Sequence, residues 1–142
     1  MAQESNIIVK QTAENAAKLR PTDLGGRVRV AHGSYIGLAG ATAGSVIELA
    51  RLPQGARVLP ISQLHFEAGQ DAALTVKVGD ASDDDRYLSG ATVGTAAVSI
   101  LLAANALNDY LTPGEQVVTA TIGGATFTVG KKMVFDLYYV VD

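Results

Sequence analysis

Histidine is the side chain whose ordinary titration range straddles neutral pH, and this chain has two of them, His32 and His65. His65 and Glu67 are two residues apart in a strand-like run, so they share a face on which a carboxylate can orient an imidazole. General-base chemistry asks for more. No G-x-S-x-G turn offers an activated serine, and no H-E-x-x-H offers a zinc-binding helix. His65 therefore reads as a partly exposed strand residue, and no catalytic residue is assigned. Glycoside hydrolysis needs only two carboxylates that meet in three dimensions. Nothing marks out such a pair here, and tryptophan, a frequent sugar platform, is absent.

The segment Gly79 to Gly90 raises the question of calcium, because Asp80, Asp83, Asp84 and Asp85 crowd four carboxylates into six residues. An EF-hand loop would add a central glycine and a distant glutamate. Both are missing, so the segment reads as an exposed polar turn and no metal ligand is assigned. The glycines of His32–Ser45 (HGSYIGLAGATAGS) prompt the same test for phosphate. Neither G-x-G-x-x-G nor a Gly-Lys-Ser/Thr ending occurs, so no cofactor-binding residue is assigned. The absence of cysteine excludes disulfides and thiolate metal sites.

The elements that would carry such residues are those of a β protein. A chain of 142 residues is one domain by length. With 48% hydrophobic and 18% charged residues it folds, and low charge also suits a surface covered by other subunits. A net charge of −3 argues against duplex nucleic acid as partner. No apolar run is long enough to span a membrane, and MAQESNIIVKQ shows no secretory signal.

Residues 1–26 read as an N-terminal arm with a small apolar anchor at Ile7, Ile8 and Val9, ahead of a β domain over residues 27–142. Arg27–Ala31 alternates, which predicts Val28 and Val30 inward, and His32–Ser45 follows as a loop outside the core. Ile47 and Leu49 face one way in the next strand. Val58, Leu64 and Phe66 share a parity that Pro60 interrupts, which predicts a bulge, an edge or a crossing between sheets. Leu74, Val76 and Val78 define another strand. Gly94–Leu111 suits a helix or a buried strand over Ala96–Leu102, and its β neighbours favour the strand. Gly123-Gly124 predicts a hairpin pairing Ile122 with Ala125, Ala120 with Phe127 and Val118 with Val129. The last strand turns Met133, Phe135, Leu137, Tyr139 and Val141 to one face. The whole is an all-β, antiparallel β-sandwich of jelly-roll type.

Glu48-Leu49-Ala50-Arg51-Leu52-Pro53, Gly55-Ala56-Arg57-Val58-Leu59, Val78-Gly79-Asp80-Ala81 and Asp85-Arg86-Tyr87-Leu88 resemble the pattern of small structural proteins of tailed-bacteriophage virions. The resemblance runs from about Ser45 to the last strand. It implies a non-enzymatic head decoration or cement protein on the capsid surface, made in the host cytoplasm. It further implies the major capsid protein as partner, a homo-oligomer such as a trimer, and no cofactor, nucleic acid or membrane. Two other classes fit the residues. One is a tail or neck component; the other is a carbohydrate-binding module that stacks sugars on Tyr35, Tyr87 or Tyr110.

Overall fold

The structure is a computed structural model that describes residues 27–103 and 110–141. The expected arm, residues 1–26, and the loop through Asn105 and Asp109 lie outside the described residues. Among those described there is no helix, and the strands form two antiparallel sheets.

The first sheet contains β1 (Arg27–Ile36), β9 (Lys132–Val141), β4 (Gln63–Phe66) and β7 (Val98–Leu101), with the short β3 (Arg57–Val58) also on β9. The second runs β2 (Val46–Leu52), β8 (Gln116–Gly123), β5 (Thr75–Gly79), β6 (Leu88–Thr92). Strands from the two halves of the chain pair in nested order, β1 with β9, β2 with β8, β4 with β7 and β5 with β6. That nesting is a jelly roll. Leu74, Val76 and Val78 are fully buried, as are Leu64, Met133 and Leu137 from the facing sheet. These are the positions their alternation selects, because each strand buries one parity.

Pro60 does interrupt its strand. It sits in the turn between β3 and β4, which continue along the same partner β9, and buried Ser62 bridges the gap by hydrogen bonding the Tyr138 backbone. The strand expected within Ala96–Leu102 forms as β7. It is buried on neither face, however, since Ser99 and Leu101 are exposed and Val98 and Ile100 half-buried.

Three further expectations fail. The β1 parity is reversed: the register sets Ala31, Gly33 and Tyr35 beside Leu137, Phe135 and Met133 on the inner face, whereas Val28 and Val30 lie outside. Residues 27–30 are exposed on both faces, so this end of β1 overhangs the core and alternation there carries no inward signal. The loop predicted from His32 also starts late, because β1 extends to Ile36, and it is not outside the core, because Ala41 is buried.

The hairpin at Gly123-Gly124 does not form either. β8 has β2 on one edge and β5 on the other, which leaves it no edge for residues 125–129. Those residues loop back instead and lower Phe127 between the sheets, with its N–H donating to the Ala41 carbonyl at 2.8 Å. Gly124 holds φ at +71° and passes so near the Ala73 carbonyl that a Cβ would overlap it. We expect Gly124→Ala to cost about 1–3 kcal/mol from left-handed strain and this clash, read as a lower urea midpoint at unchanged slope.

Candidate functional site

The outer face of the first sheet carries a polar row with one residue from each main strand. β1 contributes His32, β9 Asp136, β4 His65 and β7 Ser99. The ladder aligns them: His32 is opposite Asp136, His65 is opposite Ser99, and His65 faces Val134, two residues from Asp136 on the same side of β9. His32 Nδ1 donates to Asp136 Oδ1 at 2.5 Å, and His65 Nε2 donates to Oδ2 at 3.2 Å. The other ring nitrogen of His65, Nδ1, lies 2.7 Å from the Ser99 hydroxyl, which can donate to the ring or accept from it. The hydrogen bond from His32, joined by that from His65 against a smaller cost of burial, holds the Asp136 carboxyl below the ordinary range.

Ser99, His65 and Asp136 have the connectivity of a nucleophile, base and orienting acid. Acyl transfer further requires paired N–H donors aimed at the oxyanion and a cleft that excludes water. Ser99 is instead exposed in the middle of a strand on an open sheet face. Apolar side chains share this face with the polar row. Val28 and Val30 lie toward one end of β1 and Ile36 at the other, each more than 50% exposed. Val134 and Tyr138 are half-buried on β9, and Leu101 lies on the same side of β7 as Ser99. This face has the makings of a contact surface.

His65 takes no partner from Glu67, although the two share a face. Glu67 accepts the Lys132 backbone N–H at 2.9 Å and lies 3.9 Å from the Lys131 ammonium.

The acidic turn is built around a buried ion pair. Asp80, 4% exposed, accepts from the Ser82 N–H and hydroxyl, from the Asp83 N–H and, at 2.6 Å, from Arg86 Nε. Burial alone would raise its pKa, but the Arg86 and Ser82 hydrogen bonds outweigh it and hold the carboxyl low. The Arg86 guanidinium lies 3.7 Å above the Tyr110 ring, a cation–π contact. Glycine at position 79 lets the turn fold close, because a Cβ there would overlap the Asp83 carbonyl. Outside this lock, Asp83, Asp84 and Asp85 bring carboxylate oxygens within 4.8 Å of one another. A groove of about 740 Å³ next to the turn is lined by Val46, Glu48, Asp84, Glu115, Thr119 and Thr121. Two of its carboxylates already have cations, Arg51 on Glu115 at 2.9 Å and Lys77 on Asp84 at 3.5 Å.

The three tyrosines considered for sugar stacking all have contacts within the domain. Tyr87 is buried, which pushes its phenol pKa up. Tyr35 packs edge-on against Phe127, and Tyr110 lies under Arg86. Asp136 and Ser99 escaped the sequence reading. The alternation did place Asp136 on the polar parity of the last strand, yet only strand register brings it to the histidines.

No protein-family profile matches the chain, and no curated protein matches it. Solved structures do. The chain is similar to one in the cyanophage Pam1 capsid asymmetric unit, at 23% identity and a TM-score of 0.64 over 99% of each chain. It is also similar to a chain in the capsid of Ralstonia phage GP4, at 22% identity and a TM-score of 0.64 over 82% of this chain and 86% of that one. The fold is thus one found in phage capsids.

Proposed function

We propose that this chain is a non-enzymatic structural protein of a tailed-phage virion that binds the outside of the capsid lattice and stabilises the head. The observation that carries this reading is the end-to-end likeness to a chain of the Pam1 capsid. The partner is the major capsid protein, and the chain acts as a homo-oligomer at the capsid surface after synthesis in the host cytoplasm. Adding the purified chain to heads that lack it should give co-sedimentation and raise the temperature at which the heads release their contents. Recovery with isolated tails, and not with heads, would refute the reading.

The valine face of the first sheet is the docking surface in this proposal. Val28, Val30, Ile36 and Leu101 are four large apolar side chains more than half exposed on this face, and such exposed apolar surface suits a contact site. Val28→Glu with Val30→Glu should weaken head binding at least tenfold, since each puts an unpaired carboxylate into an apolar contact. Both side chains are more than half exposed, so circular dichroism and the urea midpoint should stay unchanged.

Residues 1–26 act in this proposal as an arm that reaches a neighbouring subunit. Ordering a segment costs about 1–2 kcal/mol per residue, and burying Ile7, Ile8 and Val9 returns at most about 1.5–3 kcal/mol each. Backbone pairing with the neighbour must supply the remainder, for instance by strand addition. Deleting residues 1–26 should leave the domain folded and weaken its attachment to heads. Undiminished attachment would make the segment an ordinary terminus.

A further inference from the structure

We propose that His32, Asp136 and His65 together bind one divalent transition-metal cation of the zinc type on the outer face of the first sheet. Two imidazoles and a carboxylate suit zinc, nickel or copper, whereas calcium and magnesium favour oxygen donors alone. The three side chains come from three adjacent strands, β1, β9 and β4, so ladder hydrogen bonds set their spacing.

The His65–Asp136 edge already has the required span. Its Nε2 to Oδ2 separation is 3.2 Å. Two ligands of one tetrahedral ion with bonds of about 2.0–2.1 Å are separated by about 3.3 Å. A cation seated there takes the place of the proton that His65 now donates. The ring keeps a single proton by carrying it on Nδ1, where Ser99 Oγ at 2.7 Å accepts it. A hydroxyl both donates and accepts, so Ser99 serves either tautomer. Such an outer partner on the second ring nitrogen is the usual way a ligating histidine is oriented.

His32 closes the site. Its ring now holds Oδ1, the other carboxylate oxygen, and its side chain is 66% exposed. It must swing across to meet the cation, and water completes the shell. Asp136 supplies the carboxylate ligand, with an oxygen facing each histidine. The oxygen-only trio Asp83, Asp84 and Asp85 is the competing location for a cation. This inference does not depend on the capsid reading.

Calorimetric titration of the untagged full chain with zinc chloride alone is the test. The expected result is one ion per chain with a micromolar Kd. Affinity should fall at least tenfold in His65→Ala, Asp136→Asn and His32→Ala, and severalfold in Ser99→Ala, which keeps all three ligands. Asp84→Asn should leave it unchanged. Cobalt in place of zinc should give visible absorption bands that vanish in His65→Ala. Far-UV circular dichroism of each variant checks that the fold is retained. No binding by the wild-type chain, unchanged affinity in the His32→Ala/His65→Ala double variant, or loss in Asp84→Asn would each overturn the assignment.

Discussion

Replacing Phe127 with alanine should lower the unfolding free energy by about 3–5 kcal/mol, a large share of the roughly 5–15 kcal/mol of a typical domain. The ring is fully buried. It meets Tyr35 edge-on at 5.2 Å between centroids and Phe66 at 6.2 Å, so truncation opens a cavity where the 125–129 loop closes the sandwich. Val129, two residues on, is 62% exposed, and Val129→Ala should change stability by no more than about 0.5 kcal/mol. Had the Gly123-Gly124 hairpin formed, Phe127 and Val129 would share one strand face and both would cost. Urea denaturation of the two variants therefore separates the plug from the hairpin. Similar losses at both positions would contradict the plug.

Removing the Asp80 carboxylate should be the other severe change. Asp80→Ala leaves the Arg86 guanidinium, itself largely buried, without its nearest anion. It also strips the Ser82 N–H of its carboxylate acceptor and leaves the Asp83 N–H only the longer bond to the Asp80 backbone carbonyl. Breaking a buried pair from one side costs about 3–5 kcal/mol. Arg86 keeps Tyr110 and a weaker approach to Asp83 at 3.8 Å, which places the expectation near the lower figure. A double-mutant cycle with Arg86→Ala should give a coupling energy of about 1–3 kcal/mol. Independent, additive losses would show that the pair is not the lock of this turn.

The same pair predicts a pH dependence. The folded-state pKa of Asp80 lies below its ordinary value of 3.8. The unfolded chain therefore binds the proton more readily, and stability from this group is present above the ordinary range and lost as pH falls through the folded value. The stability gap between wild type and Asp80→Ala should hold at neutral pH and narrow below about pH 4. Asp136 is depressed as well, so its acid sensitivity persists in the variant and serves as an internal reference. A gap that stays constant into strong acid would contradict the account.

Residue alternation alone was enough for the faces of the central strands. Leu74, Val76 and Val78, and Met133, Phe135 and Leu137, point inward as their period of two requires. Pro60 marked the break in its strand for an equally local reason, the missing N–H. Faces and breaks are properties of neighbouring residues. Which strands become neighbours is not. Gly123-Gly124 is a valid hairpin signal, but β2 and β5 occupy both edges of β8, and a turn preference of about a kilocalorie cannot displace two complete ladders. Val28 and Val30 alternate, but the register of β1 on β9 turns their parity to the outer face, and the overhang leaves the opposite parity there uncovered as well. The His32–Asp136–His65–Ser99 row joins residues up to 104 positions apart in the chain. No spacing in the sequence encodes it, because it exists only where the registers of four strands coincide.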